Sequence, residues 1–465
     1  MLAWPASAAD TGTDDTALDC GTPYSSDTGD DGQGGAGGHD HGAPENQPYD
    51  IDDFDLPENC AECHPTHYDQ WQGSIHAYAA TNPVMWVGSQ RIGEVTEFPF
   101  NCVGCHAPAA TLTASVPPEP LGSIDELPEA ARSGVNCITC HKLYDVYNGV
   151  NQFTQCADYY FGTIPDPVEY GYHESDYSSI HTEALVCRSC HNVENLNFVQ
   201  VEFTYSEWEE ANYAAGGTET EPAIDTCQDC HMPSSVGQAA VDGPEREIHD
   251  HSFVGGDVAL TPFADSHRQF EAVKAIMRQA ATIESDPVYT GGLLGDIDVV
   301  VESLVPGHHI PTGTAFNRQF WLEVLVTDGE GKLLVESGTL DANGDLRDDH
   351  SELEPGSDFM LASGFSMFKS YLYDVNGEET FNFQDEAVLV DDQSLAYGEP
   401  RFVRFHLDPA PTSATVGPIL VSVRLLYRPM PPFLLRELGI AESVIEAVPI
   451  LVVDELSYEL EGVTE

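Results

Sequence analysis

Five segments between residues 60 and 231 spell Cys-x-x-Cys-His, and any fold of this chain must be built around whatever those thiols and imidazoles hold. They read Cys60-Ala-Glu-Cys63-His64, Cys102-Val-Gly-Cys105-His106, Cys137-Ile-Thr-Cys140-His141, Cys187-Arg-Ser-Cys190-His191 and Cys227-Gln-Asp-Cys230-His231. Two thiols on about one turn of backbone can each form a thioether to a haem vinyl group, and the next residue then delivers an imidazole to one face of the iron. Zinc ribbons and thiol oxidoreductases also use Cys-x-x-Cys. Ribbons use it in pairs, however, and five is odd. Every copy here carries His at the same offset, and no thioredoxin-like strand and helix pattern surrounds any of them. The spacing predicts five covalently bound haem c groups, with His64, His106, His141, His191 and His231 as proximal iron ligands.

The chain has 465 residues, enough for two or three domains, and 78 acidic against 17 basic residues give a net charge of −61. That balance excludes nucleic acid and anionic membrane surfaces as partners and favours basic ones. Only Lys142, Lys274, Lys332 and Lys369 are lysines. So large an acidic excess suits a protein kept soluble at high salt, where screening removes self-repulsion. Covalent haem attachment follows export, so the expected location is periplasmic, cell-surface or extracellular. Met1 to Ala9 lacks Lys and Arg, but Ala6-Ser7-Ala8 reads as the end of a secretory signal. Two cysteines stand outside the motifs, Cys20 and Cys156, a candidate disulfide in an oxidising compartment. Asp19 argues against a lipid anchor at Cys20. No later segment has about 18 continuous apolar residues, so no transmembrane helix is expected.

The organisation expected is α+β and multidomain. Residues 1–50 are rich in Asp, Gly, Ser and Thr and read as a flexible tether, with His39 and His41 as solvated linker residues. Residues 51–262 form a mainly α, loop-rich haem domain in which porphyrins supply much of the packing volume. Residues 263–290 read as a connecting helix, because Phe270, Val273, Ile276, Met277 and Ala280 follow helical spacing. Residues 291–465 then switch to period two. Ile297–Leu304, Phe320–Thr327, Lys332–Ser337, Ala387–Val390, Arg401–Leu407 and Ile419–Leu426 read as strands of a β-sandwich-like domain. Asp328-Gly-Glu-Gly331 is a hairpin turn, a helix is expected from Phe433 to Glu446, and a last strand from Pro449 to Asp454.

The second axial position of each iron decides between electron transfer and catalysis. Thirteen histidines lie outside the motifs. Setting aside His39, His41, His350 and His406 leaves His67, His76, His173, His181, His249, His251, His267, His308 and His309 for five positions. Cys60-Ala-Glu-Cys-His-Pro-Thr-His-Tyr-Asp-Gln-Trp71 with Ser74-Ile-His76, Gly134-Val-Asn-Cys-Ile-Thr-Cys-His-Lys142 and Cys227-Gln-Asp-Cys-His-Met-Pro233 resemble the multihaem cytochromes related to cytochrome c554 and hydroxylamine oxidoreductase. His251-Ser-Phe-Val-Gly-Gly256 and Gly307-His-His-Ile-Pro-Thr-Gly313 are similar to segments that supply distal histidines in that group. The resemblance spans about residues 57–315, with a β domain appended as in some bacterial members. It implies His76, His251 and His308 as distal ligands, with His173 and His181 as weaker choices. His309 beside His308 leaves a one-residue ambiguity.

Asp341-Ala-Asn343-Gly-Asp345 continuing to Asp349 and Glu352 places oxygen side chains at positions of an EF-hand-like loop, a candidate calcium site. Leu346 stands where such a loop wants glycine and no helix precedes it, so a solvated acidic turn is the competing reading. The function expected is electron transfer with redox proteins, basic or multihaem cytochromes among them, with homo-oligomers or filaments as candidate assemblies. The alternatives are an oxidoreductase of small nitrogen or sulfur compounds, which needs an open haem face, and a binding protein acting through its β domain. No motif replaces its His by Lys, as the usual catalytic motif of ammonia-forming nitrite reductases does.

Overall fold

A computed structural model describes residues 51–461 except 52–53, 96–99, 114–123, 148–149, 155–157, 169–170, 291–292, 352, 354–365 and 408–416. The 1–50 segment, Cys20, Cys156 and Glu352 lie outside the described residues.

The first half is made of short helices, and the haem motifs sit on or beside them. Motif helices are Pro57–Ala61, Phe100–His106, Cys137–His141, Leu185–Arg188 and Cys227–His231. Local chemistry sets their ends. The Asn136 side chain accepts the Thr139 N–H at 3.1 Å, and Thr226 with Asp229 forms a reciprocal capping box. Pro65 directly after His64 lacks an N–H and opens the next helix, Pro65–Gln72, at its first position; Pro108 does the same for Pro108–Leu112. Small antiparallel pairs (Leu143–Tyr147 with Val150–Phe153, Val193–Glu194 with Gln200–Glu202, Ser234–Gln238 with Glu245–His249) fill the intervals.

The second half is a β-sandwich. One antiparallel sheet orders Arg401–His406, Leu293–Ser303 and Ala281–Thr290; the other orders Leu333–Ser337, Gln319–Thr327, Ile419–Arg428 and Leu451–Leu460. Alternate residues face inward, so Ile297, Val299, Val301 and Phe405 of one sheet meet Leu322, Val324, Val421, Val423 and Leu425 of the other in one core. Helix Ser266–Met277 lays Val273 and Met277 on it. Among the described residues no helix is long and apolar enough to cross a membrane.

Three boundaries differ from expectation. The connecting helix stops at Met277, and Ala281–Thr290 is already a strand. Its Ile283 N–H and Thr282 hydroxyl both donate to Asp454 of the last strand, so tertiary pairing overrides local helical spacing. The helix expected over Phe433–Glu446 is two, Pro432–Glu437 and Glu442–Ile445. Gly439, at φ +75°, breaks it in the left-handed region, and Ile440 N–H returns to Leu435 O. The last strand runs on to Leu460 because Leu456, Tyr458 and Leu460 still pack on the core.

The two halves are joined by named contacts. Arg318 forms a two-pronged ion pair with Asp257 and donates to Pro429 O, and Asn195 Nδ2 donates to Phe383 O and Ala387 O.

Candidate haem-binding sites

Each motif histidine ends a turn that starts at its first cysteine: His64 N–H donates to Cys60 O at 2.8 Å and His191 N–H to Cys187 O at 3.0 Å. Three motif rings are then fixed by backbone. His64 Nδ1 lies 2.6 Å from Ala239 O, His141 Nδ1 2.6 Å from Phe161 O and His231 Nδ1 2.7 Å from Val254 O. A carbonyl only accepts, so Nδ1 carries the hydrogen in each ring and Nε2 keeps a free lone pair, the form an iron ligand requires. Burial pushes His106, His141 and His231 below the usual histidine range, toward the neutral form. His106 Nδ1 is buried without a hydrogen bond of good geometry, although the Ala79 carbonyl is its neighbour. His191 differs: burial alone would push it down, but the Glu202 carboxylate outweighs burial and raises it to about 9.

Two imidazoles sharing one iron from opposite faces have ring centroids about 6 Å apart, from two metal–nitrogen bonds of about 2 Å and the ring radii. Four motif histidines have such a partner. His173 stands 6.2 Å from His64, His251 6.3 Å from His141, His76 6.3 Å from His191, and His308 6.3 Å from His231. Three of these partners have Nδ1 engaged by backbone carbonyls: His251 with His249 O, His308 with His309 O and His173 with Glu174 O. Burial holds His76 and His251 down at about 3 and His308 at about 4. His67 is also 6.4 Å from His64, but the Ala239 carbonyl that His64 uses is its neighbour too, so the two rings converge there instead of facing each other across an iron. Among the described residues no second imidazole faces His106.

The segment after the fifth motif serves several sites at once. His251 faces His141, Phe253 packs on His76 at 4.4 Å, and the Val254 carbonyl holds His231. The attachment points also lie close together. Cys60 neighbours Cys137, Cys105 neighbours Cys190, Cys187 neighbours Cys227, and Cys140 lies near Cys190. These proximities connect all five motifs in one cluster, with the fourth beside the second, third and fifth. Cys63, Cys102 and Cys230 complete the thiol pairs.

The structure corrects two expectations. His181 Nε2 is 2.9 Å from Leu143 O and its ring stacks on His141 at 5.7 Å, so the nitrogen an iron would need is already engaged. Among the described residues, the oxygens of Asp341, Asn343, Asp345 and Asp349 are not gathered around one point. Asp341 accepts the N–H groups of Asn343 and Asp345 and the Ser351 hydroxyl, buried Asp345 meets Arg436 and the Phe433 N–H, and Asp349 pairs with His350. Carboxylates spent on three different partners make a tied loop, not a calcium cage. His308, not its neighbour, faces His231; His309 Nδ1 instead contacts Asp392 at 3.0 Å and Ser394 at 3.1 Å. Sequence reasoning missed the carbonyls of Ala239, Phe161 and Val254, which carry no side-chain signal, and Glu202, whose role depends on strand register.

Donor atoms, tautomers and ring spacings thus fit the group that the cysteine motifs demand, in a chain whose first half is helical and loop-rich and whose second half is β-rich. The sequence model of the family described as "Cytochrome c554 and c-prime" matches residues 59–142. No curated protein matches the chain. In fold it is similar to the crystal structure of a penta-heme cytochrome c552 from Thermochromatium tepidum, at 19% identity and a TM-score of 0.58, covering 89% of this chain and 100% of that one.

Proposed function

We propose that the protein is an exported pentahaem electron carrier in which most haems have two histidine ligands. The observation that carries this reading is the set of four imidazole pairs at 6.2–6.3 Å, assembled from distant parts of the chain. In this reading Cys60/Cys63, Cys102/Cys105, Cys137/Cys140, Cys187/Cys190 and Cys227/Cys230 hold the five groups. The axial pairs are His64–His173, His141–His251, His191–His76 and His231–His308. Bound haem c supplies a one-electron iron couple, and paired imidazoles suit it to low potential compared with Met/His ligation. The chain's own residues hold His106, His141, His231, His76, His251 and His308 toward the neutral form by burial, and backbone carbonyls at Nδ1 aim the Nε2 of His64, His141, His231, His251 and His308. The haem region spans 51–262, the sandwich begins at Ala281, and His308 ties the two together. A net charge of −61, with Lys142 and Lys369 buried, presents an acidic surface to basic redox partners in respiratory or extracellular transfer.

Mass measurement of the exported protein should give five haems, and electron paramagnetic resonance of the oxidised protein should be dominated by low-spin signals. A spectrum dominated by high-spin haem would overturn the reading. His308→Ala should convert one low-spin signal to high-spin; an unchanged spectrum would remove His308 from the ligand set. One observation favours a second reading, a redox enzyme: His106 has no facing imidazole among the described residues. A single high-spin signal that shifts on adding nitrite or hydroxylamine, and disappears with the second motif, would support it.

A further inference from the structure

We infer that Glu202 is a positioning residue for the fourth motif: its buried carboxylate stands behind Nδ1 of His191 as a charge partner and makes that iron site the hardest of the five to reduce. The inference rests on the axial pairs proposed above and concerns what stands behind one of them. Three motif rings lean on neutral backbone carbonyls, through Nδ1 contacts of 2.6–2.7 Å. Among the described residues, His191 is the one motif histidine with a carboxylate there, Glu202 Oε1 at 3.8 Å, within ion-pair reach.

The placement follows from local structure. His191 closes the fourth motif, and the chain returns two residues later as Val193–Glu194, paired antiparallel with Gln200–Glu202 in a register that sets Val193 opposite Glu202. A five-residue excursion, 195–199, thus folds the acid back onto the ring. There it is 6% exposed. Oε1 also accepts the Thr204 hydroxyl at 2.6 Å, while Oε2 is sealed from solvent without a hydrogen-bond partner. The neighbouring cation, Arg318, has both terminal nitrogens committed to Asp257. A buried carboxylate without a dedicated counter-ion costs several kcal/mol unless something compensates it, and the imidazole N–H is the group in position to do so.

The consequence is electrostatic. A carboxylate behind an axial imidazole increases the electron donation of the ring and favours the more positive, oxidised iron. A backbone carbonyl, carrying only a partial charge, does this less. Glu202 also lies within electrostatic range of His308, so the fifth site should feel the same charge more weakly.

The test is a redox titration of the intact holoprotein, followed optically and by electron paramagnetic resonance, for the native chain, Glu202→Gln and Glu202→Asp. His76→Ala serves only to identify which low-spin signal belongs to His191. Glu202→Gln should shift the reduction equilibrium of that site at least tenfold toward the reduced form, which is about 59 mV for a one-electron couple. It should also move the g-values of that signal, and Glu202→Asp should restore part of both shifts. If all five haems are attached and the His191 signal is low-spin, but Glu202→Gln moves its equilibrium less than twofold with unchanged g-values, Glu202 is merely a packed acid and the inference fails. If the native protein shows no low-spin signal that His76→Ala removes, the axial assignment itself fails. A change in thermal stability alone, with the potential unmoved, counts against the inference.

Discussion

Among the described residues from 51 to 262, the largest cluster of buried apolar side chains is Phe54, Ala80, Val103, Ala107, Ala109, Ala110, Leu127, Ala130, Ala131 and Ile138, six of the ten being alanine. From Ala281 onward a single cluster runs through both sheets on Ile297, Val299, Phe405, Phe320, Leu322, Val423, Leu425 and many more. Each fully buried large aliphatic or aromatic side chain contributes roughly 1.5–3 kcal/mol, and a buried alanine far less. The sandwich can therefore offset its own chain entropy. The haem region cannot do so on side chains alone, and its missing apolar volume is what covalently attached porphyrin supplies. On that reasoning the first half would need its cofactor to fold, whereas the second carries its own core and brings His308 to within 6.3 Å of His231.

The largest expected effect separates the halves outright. Replacing all ten motif cysteines by Ser should abolish ordered structure in the first half while hydrogen-exchange protection persists in Gln319–Thr327 and Ile419–Arg428. If both halves lost protection, or both kept it, the contrast would be false. Next in size, Leu322→Ala should cost the sandwich about 2–5 kcal/mol by opening a cavity in its core, with haem spectra unchanged. A shifted haem spectrum would mean that the core and the haem cluster are not independent.

The junction comes next. Asp257→Asn removes the carboxylate charge facing buried Arg318 and should cost about 1–3 kcal/mol, less than a fully buried pair because Asp257 is partly exposed. Calorimetry should then resolve two transitions where the native protein shows more closely coupled ones, and a single unmoved transition would count against docking through this pair.

The smallest effect is a pH slope. Burial raises the Glu207 carboxyl from the usual 4.5 to about 7, against the opposing pull of Thr312 and His309. A folded-state value above the unfolded one means that the folded protein binds the extra proton between these limits. The penalty is absent below about pH 4.5 and is fully present above about pH 7, so stability falls across that window. Glu207→Gln should remove that part of the slope, about 1–2 kcal/mol after allowing for residual solvent contact. An identical pH profile in the two proteins would show that Glu207 ionises without cost.

How much of this was legible beforehand follows from how local each feature is. The motif turns, the strands with strict alternation and the Asp328–Gly331 hairpin depend on neighbours a few residues apart, and they stand where the pattern puts them. Ala281–Thr290 was read as helix because its first residues continue a helical spacing, until Asp454, far along the chain, claims its N–H. The calcium loop had acidic residues at suitable spacing, but Arg436 and the Phe433 N–H, brought by a later helix, take Asp345 away. His181 had a favourable position before the fourth motif, yet the Leu143 carbonyl occupies its Nε2.

By itself the sequence set the Cys-x-x-Cys-His spacing that calls for haem c and the division into a helical, loop-rich and a β-rich half, because thioether attachment needs two thiols and an imidazole at fixed short spacing and strand alternation is equally local. Only the tertiary structure decided which imidazole faces which. His76 meets His191 and His308 meets His231 across long stretches of chain. An imidazole's tautomer, neutrality and aim depend on carbonyls and carboxylates that folding brings to its other nitrogen, and no residue spacing encodes those neighbours.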